Sequence, residues 1–135
     1  MKILGIEHVG IAINDLRKGE IFWNLILGIK KTHSEEVESQ GVMTDIYDTG
    51  NGKVELLLSK YPDSPIAKFI KNRGCGIHHL CLSVENIDDA IRELKKNNID
   101  TIGNTYTYGA EELKVIFIHP SSTGGVLLEL AEKKD

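Results

Sequence analysis

Residues 6–13 read IEHVGIAI and residues 77–84 read IHHLCLSV. The two stretches align at a constant offset of 71 residues, which sets His8 against His79 and Ile13 against Val84. Both are rich in β-branched and apolar residues, and both read as strands. Successive strand residues face opposite sides. Val9, Ile11 and Ile13 therefore share one face, and His8 shares the other with Gly10 and Ala12. In the second stretch Leu80, Leu82 and Val84 share a face, and His79 lies with Cys81 and Ser83. Both histidines are thus placed on a face of small side chains, away from the bulky core face.

A helix start follows each stretch. Asn14-Asp15 precede LRKGEIFWNLILG, and Asn86 precedes IDDAIRELKKN. Asn and Asp suit an N-cap because the side-chain oxygen accepts from free backbone N–H groups. Ile87, Ala90, Ile91 and Leu94 follow the i, i+3, i+4, i+7 spacing of a buried stripe, and Gly28 closes the first helix in the manner of a C′ residue. The two halves also end alike. GNGKVELLL at 50–58 matches GGVLLEL at 124–130, with Glu55 opposite Glu129 at an offset of 74, so about three extra residues are expected in a loop of the second half. Glu55 lies opposite Val54 and Leu56 in facing, and Glu129 opposite Leu128 and Leu130. Between the halves DSPIAKFIKNRG predicts a short helix over 64–73, with Ser64 as N-cap, Pro65 at N1 and Gly74 past the end. The expected organisation is one domain over 1–135, made of module 1–60 and module 75–135. Two such sheets can curve around a cavity into which both His and both Glu point.

Composition narrows the function classes. The 135 residues carry 16 basic and 20 acidic side chains, a formal charge of −4, and 41% hydrophobic residues. No Lys/Arg block marks a phosphate-tracking surface, so nucleic acid is not an expected partner. No apolar run approaches a membrane span. Glu7 and His8 interrupt what would be the apolar part of a signal peptide, which points to a cytoplasmic protein. Two cysteines in such a chain do not make a disulfide framework.

His8, Glu55, His79 and Glu129 form a two-His, two-carboxylate set. Such ligands suit Zn, Co, Ni, Mn or Fe(II) rather than Ca or Cu(I). A single strand histidine is more often structural than a ligand; the duplicated placement of the same pair is what points to one divalent metal ion. The remaining candidates read as structural. His78 points away from His79, His119 sits at a strand-to-turn junction in IHPSSTGG, and His33 falls in a polar loop. Cys75 and Cys81 lack CxxC spacing and read as packing residues. Lys95-Lys96 oppose the helix dipole, and Gly124-Gly125 suit a tight turn.

The sequence resembles the vicinal oxygen chelate superfamily, which includes glyoxalases and bleomycin-resistance proteins, and most of all its methylmalonyl-CoA epimerase branch. The stretches IEHVGIAI, FWNLILG, SQGVMTDIYDTGNGKVELLL, DSPIAKFIKNRGCGIHHLCLSVENIDDAIRELK and FIHPSSTGGVLLEL carry the resemblance over most of the chain. DSPIAKF leading into GIHHLCLSV, with HPSSTGGVLLEL at the end, is the more specific part. The resemblance implies an α+β fold of two paired βαβββ modules, forming a curved mixed sheet around one divalent metal (Co, Ni, Zn or Mn). It puts the metal ligands at His8, Glu55, His79 and Glu129, the base for proton abstraction at Glu129, and a homodimer as the assembly.

The implied substrate is a small-molecule thioester. The alternatives are a lactoylglutathione lyase acting on a hemithioacetal, and a metal-free small-molecule binding protein of the same fold. Two stretches depart from the epimerase pattern. YTYGAEELK carries Glu111 and Glu112 where small or neutral residues are usual, and Thr107 where Arg is often found. Thr44, followed by Asp45, stands where some epimerases place a second base, which leaves that base unassigned.

Overall fold

The computed structural model describes residues 1–135. The first repeat runs β1 (Ile3–Ile13), α1 (Leu16–Gly19) with a π-helical continuation (Glu20–Ile26), β2 (Lys31–Val37), β3 (Val42–Asp48) and β4 (Lys53–Ser59). Helix α2 (Pro65–Arg73) follows, and the second repeat runs β5 (Gly76–Val84), α3 (Ile87–Lys96), β6 (Thr101–Tyr108), β7 (Lys114–Ile118) and β8 (Leu128–Glu132). Each repeat is therefore a βαβββ module, and the fold class is α+β. The chain packs as two compact units, one of residues His8–His78 and one of Met1–Glu7 with His79–Asp135.

In the unit His8–His78 the strands lie in the order β2-β3-β4-β1. Strand β1 runs parallel to β4, and β4 pairs antiparallel with β3 and β3 with β2. The other unit repeats this as β5-β8-β7-β6, again with one parallel pair followed by antiparallel ones. The extra residues of the second half fall mainly in the β7–β8 connection, 119–127, against 49–52 between β3 and β4.

The helix caps are those the sequence predicts. Asp15 accepts from the backbone N–H of Arg17 at 2.9 Å, Ser64 from Ala67 at 3.0 Å, and Asn86 from Asp89 at 2.9 Å. Helix α1 departs from a uniform α-helix. Leu27 N–H reaches back five residues to the Phe22 carbonyl at 3.0 Å, and Gly28 ends the turn at φ 74°. No residue pattern announces such a widened turn, because it differs from an α-turn only in which carbonyl each N–H selects. Helix α1 packs tightly on β4. A Cβ at Gly19 would stand 2.3 Å from Leu56 Cδ1, so any larger residue there would force the Leu56 side chain to move.

The core of the second unit lies between α3 and the face of its sheet that carries the bulky residues. Ile87, Ala90 and Ile91 of α3 bury against Val84, Ile116, Ile118 and Leu130, with Leu82, Leu94 and Leu128 at the margin. Ile116 is 2% exposed. Ile116→Ala is expected to cost about 2–5 kcal/mol, the loss of transfer energy plus an unfilled cavity. A lower urea midpoint with an unchanged slope would record it.

Candidate functional site

Register explains how each unit assembles a polar pair on the face away from its helix. In the first unit Glu55 pairs across to Gly10 of β1 and to Ile46 of β3. Gly10 adds no side chain there, so Glu55 meets His8 two residues earlier on the same strand face. His8 Nδ1 lies 3.1 Å from Glu55 Oε2, with both side chains 5% exposed. The opposite face of the same strands is occupied by Leu56 under Gly19 and by Asp45, whose register partner is Leu56. The alternation read from the sequence therefore places His8 and Glu55 together and away from the helix.

The second unit repeats the arrangement. Glu129 is in register with Cys81 of β5 and with Phe117 of β7. His79 Nε2 lies 3.1 Å from Glu129 Oε1, with the side chains 2% and 3% exposed. Phe117 stands edge-on to the His79 ring, centroids 5.6 Å apart. The sequence reading passed over Phe117; its register partnership with Glu129 is the signal, and it needs the β7–β8 pairing to be known.

Each pair joins an imidazole nitrogen to a carboxylate oxygen in a buried setting. Burying a carboxylate costs several kcal/mol unless a cation or donor compensates it. The imidazole does so in part, and a divalent ion would do so fully. Imidazole and carboxylate are the donors that first-row divalent metals take. These residues could hold a metal ion, and the donor set fits.

The remaining sequence candidates divide cleanly. His78 stacks edge-on against Phe69 of α2 at 5.0 Å, a packing role. His119 Nδ1 accepts from Ser121 N–H at 3.0 Å and so caps the 3-10 turn Pro120–Ser122. Both cysteines are free thiols, Cys75 exposed and Cys81 buried. His33 corrects the loop assignment made from sequence. It lies in β2, its Nε2 is 3.1 Å from Glu35 Oε1, and its Nδ1 is 3.2 Å from Thr32 Oγ1. The run THSEE reads as polar, but an edge strand can be polar on both faces. Asp45 accepts from Ser34 Oγ at 2.5 Å and faces Lys31 Nζ at 3.9 Å. On the same strand face Tyr47 is fully buried, and burial with the nearby Asp45 and Glu20 carboxylates pushes its phenol up to about 12.

The segment that departs from the epimerase pattern is strained. Glu111 and Glu112 both take the left-handed conformation, at φ 59° and 58°. A side chain there costs roughly 1–2 kcal/mol, and glycine escapes that cost at about 0.5–1 kcal/mol of unfolded-chain entropy. Glu112→Gly is therefore expected to raise the melting temperature slightly, by at most a few degrees.

A repeated βαβββ module carrying a buried His–carboxylate pair in each copy defines a duplicated α+β protein, with donors of the kind that can hold a metal ion. The family model for the glyoxalase/bleomycin resistance protein/dioxygenase superfamily matches residues 7–117. The chain belongs to that superfamily. It is 41% identical over 128 residues to the mitochondrial methylmalonyl-CoA epimerase of Homo sapiens, covering 94% of this chain and 73% of that protein. The crystal structure of methylmalonyl-CoA epimerase from Mycobacterium tuberculosis superposes with a TM-score of 0.93 at 31% identity, covering 98% of this chain and 90% of that one. A methylmalonyl-CoA epimerase in complex with methylmalonyl-CoA and NH4+ superposes with a TM-score of 0.92 at 26% identity, over 98% and 96% of the two chains.

Proposed function

We propose that the chain is a metal-dependent epimerase of methylmalonyl-CoA, acting by proton abstraction next to the thioester. The observation that supports it is the repeated buried His–Glu pair in a chain that aligns with epimerases along nearly its whole length. The repeated placement, with the likeness to epimerases, supports assigning His8, Glu55, His79 and Glu129 to one ion. Cobalt, nickel, zinc and manganese all suit this donor set. A bound ion supplies Lewis-acid polarisation of the thioester carbonyl, which makes the neighbouring C–H acidic enough for a carboxylate to remove. The chain's own part is to hold the base. Glu129 takes the C2 proton, and His79, packed edge-on to Phe117, keeps that carboxylate aligned. Glu55 serves as ligand beside His8.

Methylmalonyl-CoA is expected to exchange its C2 proton with solvent when incubated with the metal-replete protein in deuterated water, followed by proton NMR. Turnover of a glutathione hemithioacetal in its place would establish the lactoylglutathione lyase reading. Glu111→Gly with Glu112→Gly is expected to change preference among acyl groups with metal content unchanged, because two carboxylates beside an acidic acyl group repel it. Unaltered preference would place the segment away from the substrate.

The same proposal includes a homodimer. Ile21, Phe22, Leu25, Ile26 and Leu27 are all at least 45% exposed on the first helix, an apolar area unusual for a monomer. Light scattering checks the mass. No helix is long and apolar enough to cross a membrane. Cytoplasmic residence is proposed on the two free thiols, which suit a reducing compartment.

A further inference from the structure

Within the unit that holds residues His79–Asp135, strand alternation gives Glu129 an apolar neighbourhood. Glu129 and Ala131 share a face with Val115 and Phe117 of β7 and with Cys81 of β5. Leu128 and Leu130 turn the other way, onto the face that packs with Ile116, Ile118 and helix α3.

Most of this neighbourhood is closed. Directly across from Glu129 stand Cys81 on one side and Phe117 on the other. Cys81 is fully buried, and Ala131 and Val115, packed with it in one small cluster, are 1% and 2% exposed. Phe117 differs. It is only half-buried, between the buried Ile116 and Ile118. Its ring meets the His79 ring edge-on, with centroids 5.6 Å apart. The open apolar surface directly across from Glu129 is therefore the Phe117 ring.

Resting on the epimerase reading above, we infer that Phe117 is a specificity-determining residue, which packs the C2 alkyl group of the acyl chain and limits its length. A C2 carbon whose proton Glu129 removes must come within about 3 Å of the carboxylate. Directly opposed side chains in an antiparallel pair stand about 4.5–5.5 Å apart at Cβ. A group within reach of Glu129 is then also within van der Waals reach of the ring.

Chemistry selects which group that is. Besides its proton, C2 carries a carboxylate, a thioester carbonyl and an alkyl group. A carboxylate set against an aromatic ring loses hydration with no donor to replace it. An alkyl group sheds water there and gains dispersion contact. Deprotonation flattens C2, so the same ring serves both epimers. No spare room lies beside it, because Cys81, Ala131 and Val115 are packed shut. A longer alkyl chain must displace the ring.

The test measures kcat/KM for C2 deuterium exchange with methylmalonyl-CoA and ethylmalonyl-CoA, on the wild type and on Phe117→Leu and Phe117→Ala, with metal content measured on each protein. One methylene in an apolar pocket is worth about 10–200-fold in kcat/KM. The ethyl-to-methyl ratio is expected to rise by roughly tenfold in Phe117→Leu and further in Phe117→Ala. Phe117→Leu stays apolar and closer in volume, and carries the test if Phe117→Ala does not fold. A ring that only supports His79 would lower both substrates by one factor, with or without loss of metal, and leave the ratio unchanged. An unchanged or lowered ratio in active protein overturns the assignment alone. A metal-replete wild type that exchanges neither substrate overturns the epimerase reading and the assignment with it.

Discussion

Glu129→Gln is expected to keep most of its metal and to lose deuterium incorporation at C2 by roughly a hundredfold to ten-thousandfold. Glutamine still offers a carbonyl oxygen to an ion but cannot accept a proton at neutral pH. The change is also nearly isosteric, so the packing of His79 against Phe117 is left in place. Glu55→Gln is the control. It occupies the matching position of the first repeat, 3.1 Å from His8, and needs only to ligate. Its loss should be milder. The comparison is made by proton NMR on metal-replete proteins. Equal losses would reduce both residues to ligands and send the search for the base to Asp45 or Glu111.

The second large effect belongs to the histidines. His79→Ala removes a donor and also strips the buried Glu129 carboxylate of the imidazole beside it. Outer-sphere partners of metal ligands typically account for about 10–100-fold in affinity, and loss of a ligand should exceed that. Metal content and turnover are expected to fall together, and likewise in His8→Ala. Elemental analysis after dialysis against a weak chelator reads the first, and the exchange assay reads the second. Full occupancy in both variants would remove these residues from the site. In the wild type, affinity should weaken as pH falls through the imidazole range, since only the neutral ring binds metal. Affinity indifferent to pH there would count against imidazole ligation.

Much of this protein was legible in the chain itself. Two stretches of alternating residues, each followed by a capped helix, announced a duplicated module, because a strand's period of two and a helix's first-turn chemistry are local properties. The same alternation placed His8 and His79 on faces of small residues. Its repetition, with Glu55 and Glu129 at matching places, joined all four into one candidate ligand set, and the resemblance to a known family implies the same set.

Other features depend on which strands lie side by side, and no local signal carries that. His33 looked like a loop residue, because a polar edge strand such as β2 lacks the apolar alternation of a half-buried one. Phe117 against His79, and Glu35 opposite Thr44, exist only through register, where a slip of one residue would turn every side chain to the other face. Asp45 is one residue from Thr44 in sequence, yet it belongs to the helix-covered side of the sheet, bound to Ser34 and Lys31. Composition and spacing identified the donor residues. Tertiary pairing decided which carboxylates share a face with them, because in a pleated sheet that choice is made by the neighbouring strand.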